Sequence, residues 1–172
     1  MNIFFHTATA ISVAVLLTDT EKIKPNLALQ KTISTAFLAF IIGIISHGIL
    51  DYVPHCYPIP PKIDAVIGLS IILSLTFLAQ KTYRFIVFAA FVGSIFPDLI
   101  DLLPAILNKY LALQLPIAEK IFPWHFHEYS GSIYSSKCSV SSFNHFVLLF
   151  TVFMLIWSRK KDTQTIFPFD LK

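Results

Sequence analysis

The stretch Ser46-His47-Gly48-Ile49-Leu50-Asp51-Tyr52-Val53-Pro54-His55 closes a long apolar run, where polar side chains are costly. On a helix, His47 and Asp51 stand four residues apart and share one face. Pro54 ends or kinks that helix and brings His55 round from the turn that follows. Two imidazoles and a carboxylate at such a boundary make half of a metal site. The other half has to come from elsewhere in the chain.

Composition names the solvent. The chain is 55% hydrophobic and 13% charged, with a mean hydropathy of +0.70, whereas a soluble domain carries roughly a quarter charged residues. This reads as an all-α integral membrane bundle forming one domain over residues 1–172. A net charge of +3 without a basic face argues against nucleic-acid binding. Cys56 and Cys138 are too far apart in sequence for a zinc ribbon, and free thiols and a disulfide both remain open. Met1 to Leu17 has no Lys or Arg ahead of its apolar core and no small-residue cleavage site, so it reads as a retained helix rather than a signal peptide.

Five apolar segments predict about five transmembrane helices: Ile3–Leu17, Ile33–Val53, Ala65–Ala79, Phe85–Leu103 and Phe146–Trp157. The first, third and fifth are shorter than the ~20 residues of a full span. Between the fourth and fifth lies a long loop, residues 104–144, whose first part reads as a short interfacial helix. Its Ser-rich remainder reads as irregular surface. Lys22, Lys24 and Lys31, then Lys81 and Arg84, then Arg159, Lys160 and Lys161 all fall on one side of a five-span chain. The positive-inside rule places that side in the cytoplasm, with the N-terminus outside and the C-terminus inside.

With five crossings, every histidine lands near the opposite face: His6, His47, His55, His125, His127 and His145. Asp51, Asp98 and Asp101 end their segments there too. Imidazole nitrogen and carboxylate oxygen are the usual donors to zinc. Each residue alone has a structural reading, as an interhelical hydrogen bond, a helix-end carboxylate or a headgroup contact. Together they favour a metal site, since ionisable groups at membrane depth usually mark function. Asp98 and Asp101 follow Pro97 on one helix face, so one can ligate while Asp101 acts as general base.

An early histidine in the first helix, then Ser46-His47-x-x-Leu50-Asp51, then Gly93-x-x-x-Pro97-Asp98 resembles the membrane-bound metal-dependent hydrolases. These are small inner-membrane proteins distantly similar to the zinc-dependent phospholipases C. The resemblance implies a helical bundle with His6, His47, Asp51 and Asp98 as ligands, and phosphoester hydrolysis as the activity. Two departures stand out. Pro97-Asp98 is followed by Leu99-Ile100-Asp101 rather than a close Pro-Asp-x-Asp, and only Trp124-His125-Phe126-His127 can stand in for the family's later His-Arg run.

The expectation is therefore a divalent metal, zinc before manganese or iron, held by His6, His47, Asp51 and Asp98. His55, His125, His127 and His145 are further candidate ligands. The substrate would be a phosphoester such as a phospholipid headgroup, and the partner membrane lipid. Two rival readings are a small proton-coupled transporter and a non-enzymatic membrane interaction protein.

Overall fold

Each apolar segment of the sequence is a helix. The computed structural model describes residues 1–23, 29–134 and 139–168. Among these, α1 is Ile3–Leu17, α2 Leu29–Tyr52, α3 Pro61–Leu78, α4 Arg84–Asp101, α5 Leu103–Leu111, α6 Ser139–Ser158 and α7 Lys160–Ile166. There is no strand among the described residues, only a single bridge between His55 and Ser132.

Contacts at the helix ends show that α1, α2, α3, α4 and α6 run alternately up and down. At one end, Asp64 in the first turn of α3 accepts the backbone N–H groups of Ile3 (2.7 Å) and Phe4 (3.0 Å). Asn2 provides no side-chain cap for α1, so a neighbouring helix satisfies two of its orphan donors. Asn144 near the start of α6 donates to Pro54 O at the same end. At the other end, Arg159 donates to Thr18 O, and Asp162 accepts both the amide and the hydroxyl of Thr20. Tyr83 donates to Ile23 O there as well. The basic residues Lys22, Arg84 and Arg159 thus gather opposite the histidines.

Small residues set the tightest crossing. A Cβ on Gly93 would lie 2.2 Å from Phe40 O, and one on Gly43 would lie 2.8 Å from Ser94 N. Only glycine lets the α2 and α4 backbones approach this closely, a device common between membrane helices. Phe91, Ile86, Val87 and Ala90 fill the space beneath, fully buried. The outer surface is apolar too, with Phe37 67%, Phe77 68% and Phe153 56% exposed. Apolar exposure on this scale suits a hydrocarbon surround, not water.

By length and composition, α2 and α3 can cross a membrane. The count rises to four if α4 with α5 and α6 with α7 are each one broken span, bent by 63° and 86°. α1, with 15 residues, is shorter than the spans. The five helices are present, but five full crossings are more than length and hydropathy give.

Sequence boundaries shift where turn chemistry intervenes. Pro104 falls in the first turn of α5, where its missing N–H costs nothing, so the expected fourth segment divides before Leu103. The Ser130-Gly131-Ser132 run, expected to be irregular, is tied down: Gly131 N–H donates to Asp51 O, His55 N–H to Gly131 O, and Ile133 N–H to His55 O. Cys56 is buried and not a free thiol. The second cysteine, Cys138, lies outside the described residues.

Candidate metal centre

The centre sits where α2 and α4 end side by side. His47 is fully buried, and its Nδ1 lies 2.6 Å from Ser94 O. A carbonyl can only accept, so Nδ1 carries the proton and the Nε2 lone pair faces inward. One turn on, Asp51 Oδ2 is 3.2 Å from that Nε2. Asp98 Oδ1 approaches it from α4 at 3.7 Å.

The fourth arm comes from the long loop. Pro123–His125 form a single 3₁₀ turn that places His125 Nε2 3.4 Å from His47 Nε2, 3.3 Å from Asp98 Oδ1 and 3.6 Å from Asp51 Oδ2. His125 Nδ1–H donates to Asp101 Oδ2 at 2.8 Å. The same carboxylate accepts the amides of Ile121 (2.9 Å) and Phe122 (3.0 Å). Asp101 therefore pins the loop and turns the second imidazole lone pair inward. Trp124 covers the arrangement by lying on α2 at Gly48, where a Cβ would be 2.7 Å from its ring.

His47, Asp51, Asp98 and His125 could thus hold a metal ion: one ligand atom from each lies within 4.8 Å of all the others. The tautomers of the two imidazoles favour this. Both imidazoles direct Nδ1–H outward, to Ser94 O and Asp101, and present Nε2 to two carboxylate oxygens. Four acceptors converge, and the fixed donor beside them, the Met1 ammonium, reaches only the other oxygen of Asp51. Such a group needs a cation or added protons. Tetrahedral zinc with bonds of about 2.0–2.1 Å has donor-to-donor edges of about 3.3–3.4 Å. The five separations given above span 3.2 to 3.7 Å. Burial lowers the pKa of His125, but the carboxylates of Asp98 and Asp101 outweigh it and hold the imidazole above its ordinary value.

The other expected residues are distributed around this core. His6 is buried and stacks on His47, with ring centroids 4.0 Å apart. Its Nε2 is 3.2 Å from Asp51 Oδ1, but neither ring nitrogen makes an aligned hydrogen bond. The Met1 ammonium also contacts Asp51 Oδ1. His55 belongs to a separate cluster. Its Nδ1–H donates to Val53 O at 2.7 Å, and its Nε2 faces the hydroxyls of Tyr57 and Ser132. Burial drives the His55 pKa down to about 4. His145 stacks on Phe5 at 4.0 Å, and His127 is exposed on the loop.

Sequence reasoning did not find Ser94, although it lies one helical turn before Asp98 and so shares its face. It also missed Asp64 as a cap for α1, because a contact between separate helices leaves no local signal. Compared with family models, curated proteins and solved structures, the chain matches none of them.

Proposed function

We propose that the protein is a metal-dependent phosphoester hydrolase embedded in the cell's inner membrane as a five-helix bundle, with the N-terminus outside and the C-terminus in the cytoplasm. The observation that carries this reading is the convergence of His47, Asp51, Asp98 and His125 as four acceptors within 4.8 Å of one another. Two nitrogens and two carboxylate oxygens suit zinc, with manganese or iron as alternatives. When bound, a divalent cation supplies Lewis acidity and a water acidic enough to ionise near neutral pH.

The chain's own residues do the rest. Ser94 O and Asp101 fix the two imidazole tautomers, and Trp124 shields one side from water. The side chain of Asp98 is 20% exposed, against 0% for His47, 9% for Asp51 and 5% for His125. Substrate therefore approaches along the Asp98 edge. With both Asp101 oxygens occupied by the loop, its part is to position His125.

The test is metal content and hydrolysis of a phosphodiester by purified protein. Wild type should retain about one divalent ion per chain, and the near-isosteric Asp98→Asn should lose both the ion and the activity. Asn keeps the shape, so folding is preserved and His47→Ala serves as a second, harsher variant. Equal, negligible metal in wild type and variants after growth and reconstitution with zinc, manganese and iron defeats the proposal.

A further inference from the structure

Beside the centre, residues 103–121 form an apron that the fold leaves uncovered. No residue of α5 is buried. Ile106, Tyr110, Leu111, Leu113, Ile117 and Ile121 are between 47% and 66% exposed. This is not a loose tail. Ala112 ends α5 in the left-handed conformation at φ 51°, one that residues other than glycine seldom adopt. Asn108 then closes the turn twice, donating to Leu115 O at 2.8 Å and accepting from Leu115 N–H at 2.6 Å. Apolar side chains are held outward on a built scaffold.

The apron's charges favour an anionic surround. Within residues 103–121, Lys109 and Lys120 face a single acid, Glu119. Lys62 at the start of α3 adds a third cation, 4.7 Å above the ring of Tyr110, and Lys109 approaches the same ring at 5.6 Å. An apolar face edged by lysine and tyrosine is the pattern of a segment lying at a membrane surface. Through Lys62 the face adjoins the first turn of α3, a helix on which Val66 is 66% and Leu69 56% exposed.

We infer that the apron 103–121 seats in the headgroup layer of the bilayer, with anionic lipid phosphates against Lys62 and Lys109 and the apolar side chains below them. This inference rests on the membrane-spanning reading. Its consequence for the centre comes through Asp101, which holds the amide of Ile121 in the apron and the imidazole of His125 in the cluster. The depth of one is therefore the depth of the other.

The experiment uses full-length protein in vesicles, with a nitroxide on Ile117→Cys or on Leu73→Cys in the middle of α3, and the signal of unsubstituted protein subtracted. Relaxation by oxygen reports hydrocarbon, and relaxation by a water-soluble nickel chelate reports water. The expected result is oxygen dominance at both sites, shallower at 117 than at 73, with position 117 moving deeper when phosphatidylglycerol is added to phosphatidylcholine. Nickel dominance at 117 alone, or shielding of 117 from both agents by a second protein, overturns the apron and leaves the spans intact. Nickel dominance at both positions overturns the spanning reading and the apron with it. Indifference of position 117 to phosphatidylglycerol overturns the headgroup assignment.

Discussion

Replacing Gly93 by alanine should disable the centre without touching any of its ligands. The added Cβ would stand 2.2 Å from Phe40 O and 2.8 Å from Phe40 Cα, both backbone atoms of α2, where ordinary contact begins near 3.4 Å. No side chain can rotate away, so the helices themselves have to part by about 1 Å, because packed interiors transmit such strain. Overpacking of this kind costs about 1–3 kcal/mol. A metal site tolerates about ±0.2 Å in its ligand distances, so a shift several times larger separates Asp98 on α4 from His47 and Asp51 on α2. Loss of a single supporting partner already weakens metal binding about 10–100-fold, and Gly93→Ala should weaken zinc binding by at least that much. Competition with a chromogenic chelator measures the affinity, and circular-dichroism melts in detergent measure the stability. Gly68→Ala is the control, since its Cβ meets mainly the side chain of Ile3 at the α1–α3 contact. Wild-type zinc affinity in Gly93→Ala would refute the claim that this crossing sets the spacing of the ligands.

Three further outcomes follow from the same contacts. Asp101→Asn should weaken zinc binding about 10–100-fold, the cost of losing the partner that orients a ligating imidazole, whereas exposed His127→Ala should leave the chelator competition unchanged. Asp64→Ala removes the acceptor of two α1 amides and should lower stability by about 1 kcal/mol, read as an earlier thermal transition. For pH, the folded-state pKa of His55 is about 4, below its ordinary 6.5, so the unfolded chain takes up the proton first as pH falls. The stabilisation is complete above pH 6.5 and is lost toward pH 4, by up to about 3 kcal/mol at about 1.4 kcal/mol per unit. Melting temperatures across that window should fall less steeply in His55→Asn, and an unchanged slope would remove His55 as a contributor.

The legible part of this chain was the part written in hydropathy. α1 falls on Ile3–Leu17 as expected, because polar residues flank both of its ends. The alternating direction of the helices put His6, His47, Asp98 and His125 at one end on parity alone. What the sequence could not rank was nearness within that end. His125 and His127 are equivalent as text, yet only His125 has Asp101 to hold it, a pairing across 24 positions. His55 looked like a partner of His47, but the chain after Pro54 turns it toward Tyr57 and Ser132 instead. Asp101 read as a base because spacing shows where a carboxylate can point, not how many N–H groups will claim it. The number of full spans was less legible than the helices, since length and hydropathy give two to four of them. Hydropathy marks apolar helices, while the bend after Asp101 depends on local proline chemistry that a sliding window averages away.

Trp124, described above as a cover, also makes the centre optically addressable. The chain has two tryptophans. Trp124 lies 6.2 Å from the His47 ring and 6.4 Å from the His125 ring, while Trp157 sits at the far end of α6 beside Lys160. A paramagnetic ion such as Co²⁺ entering between the imidazoles would darken the near indole and spare the distant one. Occupancy could then be followed in native protein by the emission that remains, with no label, no substrate and no assumption about turnover.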